Sequence, residues 1–558
     1  MTGAEALVRG LQAYGVRHIF GLCGDTSLPF YDALARLDHG MTHVLTRDER
    51  CAAYMADAYA RVTGKVGVCE GPSGGGATYI LPGVVEANES SSPVLAITSD
   101  VSVTSRGRYP LTELDQTALF RPLTKWNRTL DRADEIPGSL RAAFKAMTTG
   151  KPGAAHLGVP YDIMKQPVGA EMWAQPEHGS APAWRVQPET SAVEAAAKAI
   201  LAARNPVFIC GGGVVIADAM EELSRIALLL GAPVCTTVSG KGSLAEDHPL
   251  CAGVVGSNGG VPATRAVVDG ADLVVFVGCR AGSTSTEHWR APATTIPIVH
   301  IDADPMVIAA NYPTAYGLVG DAKLTLQMLE KALSVGASPR AAGNGRAIVA
   351  KARADKRRAF ELNAFSDEAP IRPERIIREL NAVLPRDAVI VADPGTPCPY
   401  VSAYYEILEA GRYFITNRAH GALGYALAGA IGASFGRPAT RSVAIMGDGS
   451  FGFTVGEIET IVRHDIPVMM IVIANGSFGW IKASQRAGYD KRYFSVDFTR
   501  TDHARVAEAY GVKAFKVSDP ADLGKTLRAA ADHSGPVLVD IAAQPLEEAA
   551  APVSQWMG

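Results

Sequence analysis

One stretch of this chain, residues 441–485, restricts its fold more than any other. An apolar run at 442–446 ends in Gly-Asp-Gly-Ser, and a second run at 468–474 ends in Asn-Gly-Ser. Between the two runs, apolar residues recur at the spacing of one helix face. This pattern predicts two parallel strands joined by a crossover helix, which is the repeating unit of an α/β sheet.

The polar residues that follow the two runs suit a metal ion that holds phosphate groups. Ligands of open parallel sheets bind at the carboxyl ends of the strands, so Asp448 and Asn475 should meet at one edge. A carboxylate, an amide oxygen and a backbone carbonyl suit Mg2+, and Gly447 and Gly449 let the backbone approach an anion closely. The alternative is an ordinary strand-turn-helix that uses Gly and Asp only for its turn.

Composition disfavours several classes of function. The chain has 558 residues, which suggests several domains, and its net charge of −4 without a Lys/Arg stripe gives no footprint for nucleic acid. The longest stretch of low charge, 421–436, is too short to span a bilayer. Eight scattered cysteines and an N-terminus without a signal sequence predict reduced thiols in a cytoplasmic protein.

One succession of helix and strand signals occurs twice. Residues 1–170 contain it first, with a strong helix at 51–63 and then a strand that runs into Gly-Pro-Ser-Gly-Gly-Gly. Residues 371–545 repeat it, with a small-residue helix expected at 421–435 and the Gly-Asp-Gly turn in the place of the glycine-rich turn. The first copy has no carboxylate in its turn, and the second has no acid at the place of Glu49. The two copies therefore predict one site built from both.

A third unit is expected at 190–335, with a Gly-Gly-Gly turn after its first strand and a helix at 217–230. We expect linkers at 166–190 and 334–360, because these stretches are rich in Pro, Gly, Ala and Arg. The tail at 546–558 carries little signal for order and could fold over another part of the chain.

Two motifs resemble those of enzymes that depend on thiamine diphosphate (ThDP). In that family, Gly-Asp-Gly is followed by Asn at the end of the next strand, as at 447–449 and Asn475 here. The family also has an Arg-His-Glu-like tripeptide and then a helix that ends in Tyr-Ala-Arg-x-x-Gly. Here the tripeptide is Arg-Asp-Glu at 47–49 and the helix end is Tyr-Ala-Arg-Val-Thr-Gly. Asp48 replaces the usual His, and Gly476 stands where many members have a second Asn.

The resemblance extends over the whole chain, to the branch of acetolactate synthase, benzaldehyde lyase and oxalyl-CoA decarboxylase. Matching segments are Gly-Leu-Cys-Gly at 21–24, Tyr-Asp-Ala-Leu at 31–34, Thr-Lys-Trp-Asn at 124–127, Leu-Gly-Val-Pro at 157–160 and His-Ile-Asp-Ala-Asp-Pro at 300–305. The resemblance implies an α/β fold of three doubly wound parallel-sheet domains: a pyrimidine-binding domain (1–170), a central domain (190–335) and a diphosphate-binding domain (371–545).

The resemblance also implies which residues hold the cofactor. In the family, the glutamate that Glu49 matches bonds N1′ of the aminopyrimidine, favours its imino tautomer and so promotes loss of the thiazolium C2 proton. The carbonyl of Gly421 would accept from the 4′-amino group, and Leu423 would wedge between the rings. The implied metal ligands are Asp448, Asn475 and the main-chain carbonyl of Ser477. The other cofactor contacts expected in the turns and loops are Gly395, Thr396, Gly447, Gly449, Ser450, Ser477 and Phe478.

The substrate pocket is less well defined. Gln116 matches the active-site Gln of acetolactate synthases, but Asp115 precedes it where those enzymes have Phe. Arg418 and His420 could bind a substrate carboxylate or transfer protons, or else contact solvent or a partner subunit. The predicted catalytic residues are Glu49, Gln116, Arg418 and His420, and the other pocket candidates are Cys23, Asp25, Ser477, Phe478, Trp480, Ile481 and Gln485.

The implied function is an acetolactate synthase-like decarboxylase and carboligase that acts on a 2-keto acid or a related carbonyl compound. The segment 476–485 lacks the Met-rich pattern expected of a true acetolactate synthase, and 481–487 resembles glyoxylate carboligase, which lacks the glutamate. One alternative is a lyase of the 2-hydroxyacyl-CoA lyase or oxalyl-CoA decarboxylase type, which the absence of a basic C-terminal segment disfavours. A non-catalytic protein of this fold is disfavoured by the presence of Glu49, Asp448 and Asn475.

The expected cofactors are ThDP and Mg2+. FAD or ADP in the central domain is left open but not favoured, because the glycine turn at 211–213 lacks the full GxGxxG spacing. The expected partners are small-molecule carbonyl substrates, with neither nucleic acid nor membrane. Because the family shares its sites between subunits, the resemblance implies a homodimer that assembles into a homotetramer.

Overall fold

A computed structural model of the chain describes residues 1–169, 171–336 and 344–554. Its first sheet contains β1 (His18–Gly21), β2 (Thr42–Leu45), β3 (Gly67–Gly71), β4 (Val94–Asp100), β5 (Trp126–Thr129) and β6 (Ala155–Pro160). The strands pair in parallel in the order β2-β1-β3-β4-β6-β5. Strands β3, β4 and β6 are buried along their whole length, as expected when helices cover both faces of a parallel sheet.

The second sheet lies in the central part of the chain. Its strands are β7 (Pro206–Cys210), β8 (Val234–Thr236), β9 (Cys251–Val254), β10 (Leu273–Val277), β11 (Ile298–Asp302) and β12 (Tyr316–Val319). They pair in parallel in the order β12-β11-β10-β7-β8-β9. Two separate clusters of buried apolar side chains pack against this sheet, which gives it a core on each face.

The third sheet repeats the topology of the first. Its strands are β13 (Val389–Ala392), β14 (Phe414–Thr416), β15 (Ser442–Gly447), β16 (Met469–Ala474), β17 (Lys513–Val517) and β18 (Val537–Ala542). The order β14-β13-β15-β16-β18-β17 corresponds strand for strand to that of the first sheet. Strand β15, which ends at the Gly-Asp-Gly turn, therefore takes the place that β3 has before the glycine-rich turn. The repeat predicted from the sequence and the fold of three parallel-sheet domains are confirmed.

Helices join most of the consecutive strands. In chain order they are α1 (Gly3–Ala13), α2 (Leu28–Arg36), α3 (Glu49–Thr63), α4 (Gly75–Tyr79), α5 (Leu81–Glu89), α6 (Gln116–Phe120), α7 (Ile136–Thr148), α8 (Tyr161–Lys165), α9 (Thr190–Ala202), α10 (Gly212–Ile216), α11 (Met220–Leu230), α12 (Pro262–Asp269), α13 (Ala322–Gly336), α14 (Gly345–Ala364), α15 (Pro373–Val383), α16 (Pro397–Tyr404), α17 (Tyr425–Gly436), α18 (Asp448–Thr454), α19 (Ile458–Arg463), α20 (Gly479–Gly488), α21 (His503–Ala509) and α22 (Pro520–Ala531). Across the residues that the structure describes, no helix is long and apolar enough to cross a membrane.

The chain divides into two compact units that do not follow the three sheets. The first unit contains residues 1–184, 417–442 and 453–468, and the second contains the other described residues. The first unit takes in α17 because this helix packs closely on α3. A Cβ atom on Gly432 of α17 would lie 2.1 Å from the backbone oxygen of Met55 in α3, so only glycine permits this approach.

Two helix boundaries differ from the expectation. The helix expected at 421–435 begins only at Tyr425, because Gly421 (φ 74°) and Gly424 (φ 85°) adopt a left-handed backbone that a helix does not allow. The helix expected at 217–230 begins at Met220, because Asp218 has a φ of 55° and separates α10 from α11. In the first case the unwound residues carry two predicted cofactor contacts.

The predicted linker at 334–360 is wrong for most of its length. Helix α14 starts at Gly345, and Val349 and Ala352 are buried on its inner face. The Ala and Arg residues that suggested a linker are strong helix formers, and composition alone does not separate the two cases. Residues 337–343 of the predicted linker lie outside the described residues.

The tail expected to have little order is anchored in the second unit. Leu546 is buried, the Gly259 N–H donates to the Pro552 carbonyl (2.9 Å), and the Ser554 N–H donates to the Ser257 carbonyl (3.1 Å). Residues 555–558 of the tail lie outside the part of the chain that the structure describes.

Candidate cofactor site

The predicted site residues fall into two groups, one in each compact unit. The second unit holds the residues expected to bind metal and diphosphate, and the first holds Glu49, Gln116 and the loop 417–424.

The carboxylate of Asp448 ties together the ends of β15 and β16. Its Oδ1 accepts from the Gly449 N–H (2.9 Å), and its Oδ2 accepts from the N–H groups of Asn475 (2.9 Å) and Gly476 (2.6 Å). The amide oxygen of Asn475 in turn accepts from the Ser477 N–H (3.3 Å). The structure thus brings Asp448, Asn475 and Ser477 together at the sheet edge, as the sequence predicts.

Burial gives Asp448 an electrostatic cost that a cation would relieve. Loss of solvent raises the pKa of the Asp448 carboxyl, and its three backbone hydrogen bonds counter this effect only in part. A bound divalent cation would favour the ionised form, and a carboxylate beside an amide oxygen is a donor set that Mg2+ accepts. The residues present therefore fit the metal that the sequence implies.

Open glycines leave room for an anion near this carboxylate. A Cβ atom on Gly447 or on Gly395, which has a φ of 89°, would meet no atom within 4 Å. Ser450 follows in α18, and its hydroxyl donates to Asp393 at the end of β13 (2.5 Å). The turns after β13 and β15 can therefore admit the oxygen atoms of a diphosphate without displacing a side chain.

Gly479 is a site residue that the sequence did not single out. A Cβ atom on Gly479 would lie 3.2 Å from Thr396 Oγ1, 3.2 Å from Asn475 Nδ2 and 3.0 Å from the Cβ of Leu546. Gly479 therefore allows Thr396 and the tail to approach Asn475. Its position as the first residue of α20, directly after Phe478, was the available signal.

The segment after Asn475 is held by a short pairing with residues 496–498. The Phe478 N–H donates to the Val496 carbonyl (2.8 Å), and the Phe498 N–H donates to the Gly476 carbonyl (3.0 Å). The Phe478 ring packs edge-on against Phe498. A Cβ atom on Gly449 would lie 2.8 Å from the Phe478 ring, so glycine at this position makes room for the ring. These contacts fix Ser477 and Phe478 at the start of α20.

The pocket candidates of α20 have different surroundings. Trp480 packs against the core of the third sheet, whereas Ile481 is exposed. The side chain of Gln485 bonds the backbone N–H and carbonyl of Phe494 (3.1 Å each). Lys482, between them, pairs with Asp497 (2.7 Å) and with Glu547 of the tail (2.9 Å).

In the first unit, Glu49 opens α3 at the carboxyl end of β2. Asp48 is the N-cap: its side chain accepts from the Arg50 N–H (2.8 Å) and pairs with the Arg50 guanidinium (2.6 Å). The residue that replaces the family's His thus caps the helix and binds Arg50. Glu49 itself is buried, and loss of solvent raises the pKa of its carboxyl above the usual range.

The loop 417–424 precedes α17 in the same unit. His420 and Gly421 are exposed, and a Cβ on Gly421 would meet no atom within 4 Å. The His420 N–H donates to Glu86 (2.7 Å), and the Asn417 side chain donates to the Ala422 carbonyl (2.5 Å). Arg418 and Leu423 are half-buried. The carbonyl of Gly421 therefore lies on an accessible loop that is fixed on both sides.

Gln116, the first residue of α6, is buried against strand β4 with both ends of its amide bonded. Its Nε2 donates to the Ser99 carbonyl (2.8 Å), and its oxygen accepts from the Thr98 hydroxyl. Thr98 also bonds His156 (2.7 Å). The structure does not bring Gln116 to an open surface, and its catalytic role stays a prediction. Cys23 and Asp25 lie in the partly exposed loop after β1.

Glu70 is a buried acid near Glu49 that the sequence did not reveal. It lies in β3 beside Gly21 of β1, and its Oε2 accepts from the Tyr31 hydroxyl (2.7 Å). Tyr31 also bonds His43 Nε2 (2.9 Å). Loss of solvent raises the pKa of Glu70 to about 8, and the charge of Glu49 acts in the same direction.

Comparison with known proteins agrees with this arrangement. Three family models of thiamine pyrophosphate enzymes match the chain: the N-terminal TPP binding domain at 1–119, the central domain at 193–329 and the C-terminal TPP binding domain at 393–541. The chain is 36% identical to a probable acetolactate synthase large subunit of Methanocaldococcus jannaschii, over 98% of this chain and 93% of the relative. It is 34% identical to the probable large subunit of Methanococcus aeolicus (98% and 92%) and 32% identical to the acetolactate synthase of Mycobacterium bovis (97% and 88%). The chain therefore belongs to the thiamine diphosphate-dependent enzymes, in the acetolactate synthase branch.

Proposed function

We propose that this protein is a ThDP- and Mg2+-dependent decarboxylase and carboligase that acts on a 2-keto acid. The main support is the Asp448 carboxylate, which three backbone N–H groups fix beside Asn475 at the ends of two parallel strands. Asp448, Asn475 and the Ser477 carbonyl would hold the metal. The open turns at Gly395 and Gly447 would receive the diphosphate.

Bound ThDP would supply the electron sink that lets a 2-keto acid lose CO2 and join its reacting carbon to a second carbonyl compound. Glu49 would hold a proton against the aminopyrimidine, and its raised pKa favours the protonated form that such a bond needs. Gly421 would accept a hydrogen bond through its carbonyl, and Leu423 would press on the rings. Arg418 and His420, on the same loop, would bind the substrate carboxylate or move protons.

The assembly is proposed as a homodimer with shared active sites that pairs into a homotetramer. The proposal follows from the family resemblance, in which the glutamate and the metal ligands of one site come from different subunits. A cytoplasmic location is proposed because all eight cysteines are free thiols.

The substrate is tested by supplying pyruvate, glyoxylate, benzoylformate and an acyl-CoA to the protein with ThDP and Mg2+, while CO2 release and product mass are followed. We expect a 2-keto acid to release CO2 and to give a product heavier than its decarboxylated fragment. Cleavage of the acyl-CoA with the keto acids left intact would instead favour the CoA-ester lyase.

Shared sites are tested by mixing two inactive variants, Glu49→Gln and Asp448→Ala, under conditions in which subunits exchange. In a hybrid dimer with shared sites, both defects fall in one site and the other site is intact, so activity should return. If each chain builds its own complete site, no hybrid contains an intact site and the mixture stays inactive.

A further inference from the structure

Three buried groups and one partly buried arginine join helices α3, α5 and α17 of the first unit. The side chains of Asp57 and Glu86 are completely buried, and Arg61 lies between them, 2.9 Å from Asp57 Oδ2 and 2.8 Å from Glu86 Oε1. The Tyr425 hydroxyl, at the start of α17, donates to Asp57 Oδ2 (2.6 Å). This Asp57–Arg61–Glu86–Tyr425 cluster links the helix that begins with Glu49 to the helix that follows the loop 417–424.

The cluster also contacts the loop itself. The second oxygen of Glu86, Oε2, accepts from the backbone N–H of His420 (2.7 Å), the residue directly before Gly421. Farther along the loop, the Thr454 hydroxyl donates to the Gly424 carbonyl (3.2 Å), and Tyr425 is held by Asp57. Glu86 and Asn417 therefore both hold the middle of the loop, at the His420 N–H and at the Ala422 carbonyl, while other contacts fix its end.

The contact between Glu86 and His420 is strong for its type. A buried carboxylate that accepts from a backbone N–H forms a charge-assisted bond, which is shorter and stronger than a neutral one. Arg61 supplies the opposite charge next to the other oxygen of Glu86, so the carboxylate is held at both ends. A neutral side chain of the same shape cannot replace both contacts, because an amide has one accepting oxygen.

We propose that Glu86 is a positioning residue for the cofactor: it fixes the loop 417–424 so that the Gly421 carbonyl and the Leu423 side chain face the aminopyrimidine. The proposal rests on the proposed function, because it requires that the protein bind ThDP. Glu86 acts through the loop, and its contacts are with Arg61, Ser90 and the His420 N–H.

The first test needs no cofactor. Hydrogen–deuterium exchange of the apo protein is compared between wild type and Glu86→Gln by mass spectrometry. We expect amide exchange in the peptide that contains 417–424 to rise about tenfold, because loss of one buried charge-assisted bond favours local opening. Unchanged exchange in this peptide would overturn the proposal.

The second test measures ThDP affinity by titration calorimetry in the presence of Mg2+. We expect Glu86→Gln to raise the Kd for ThDP about tenfold, equal to about 1.4 kcal/mol, while the apo variant keeps the circular dichroism spectrum of the wild type. A purely structural role would lower the unfolding temperature and leave the Kd of the folded protein unchanged, and this result would overturn the proposal.

Ser434→Ala is the matched control. Its hydroxyl donates to the Ala430 carbonyl within α17 (2.9 Å), so it perturbs the same helix away from the loop, and both measurements should match wild type. If Glu86→Gln does not fold, Glu86→Asp takes its place, because it keeps the charge beside Arg61 and should show a smaller change in the same direction. A wild type that does not bind ThDP would refute the proposed function, whereas a wild type and variant of equal affinity would refute only the role of Glu86.

Discussion

Replacement of Glu70 by Gln should make the protein more stable at alkaline pH. The side chain of Glu70 is 1% exposed in β3, and the Tyr31 hydroxyl donates to its Oε2. Loss of solvent raises its pKa from 4.5 to about 8, against the opposing hydrogen bonds of Tyr31 and Ser27, and the charge of Glu49 adds to the rise. Gln keeps an accepting oxygen for Tyr31 and never ionises.

The sign follows from the proton that the folded state retains. Between pH values of about 4.5 and 8, folded Glu70 holds a proton that the unfolded chain has lost, so stability falls as pH rises through this window. Relative to Glu70→Gln, the wild type should lose about 2 kcal/mol by about pH 6 and about 5 kcal/mol by about pH 9. The contribution is constant above the folded pKa.

The assay compares urea unfolding of the two proteins at several pH values, with tryptophan fluorescence as the signal. A chain of several domains does not unfold in one step, so the quantity compared is the shift of the first transition that differs between the proteins. The difference in stability between Glu70→Gln and the wild type should grow as pH rises, with the variant the more stable protein. Glu171→Gln, at an exposed position, is the control, and its unfolding transition should match that of the wild type at every pH. A difference that is independent of pH would refute the reasoning, since the folded pKa of Glu70 would then be ordinary.

Four further outcomes are expected. Glu49→Gln should abolish turnover, because the change removes the group proposed to hold a proton. It should leave the calorimetric Kd for ThDP within about threefold of wild type, because Glu49 is not a proposed metal ligand. Full activity of the variant would disprove the catalytic assignment of Glu49. Asp448→Ala should weaken Mg2+-dependent ThDP binding by about a hundredfold or more, since it removes a proposed metal ligand, and wild-type affinity would contradict the site. Gln116→Leu should lower stability by about 1–3 kcal/mol and leave KM unchanged if its internal bonds are its main role, whereas a changed KM at unchanged stability would support the catalytic prediction. Glu547→Gln should speed proteolysis of the tail, because it removes the charge from a largely buried ion pair with Lys482, at a cost of about 1–3 kcal/mol, while Lys482 keeps its contact with Asp497.

The parts of the fold that the sequence predicts are those that local chemistry determines. Strands β15 and β16 lie where the apolar runs at 442–446 and 468–474 predict, because a strand buried on both faces needs a continuous apolar run. The approach of Asp448 to Asn475 was predictable for the same reason, since parallel strands end at one sheet edge. The boundaries failed where the backbone departs from its usual region, as at Gly421 and Gly424 before α17.

The groups that were missed depend on partners distant in sequence. In a sequence, Glu86 is one acid on a short helix, and only the fold places it between Arg61 and the His420 N–H. Glu70 likewise has no local signal, because its partners Tyr31 and Glu49 lie on other elements. Family motifs do not supply these groups either, since a motif marks the residues that contact the cofactor and not those that hold them.

Glu70 and Glu86, the two acids that the sequence did not reveal, lie in the same unit as Glu49 and the loop 417–424. Glu49 opens α3 with a raised pKa, Glu70 holds a proton close to it, and Glu86 clamps the loop that would present Gly421. Each is a buried carboxyl group that costs stability unless a partner compensates. Arg61 and the His420 N–H compensate Glu86, whereas burial raises the pKa of Glu49 and Glu70. Groups fixed in this way match the proposed role of the unit, which is to hold one end of the cofactor in a set geometry.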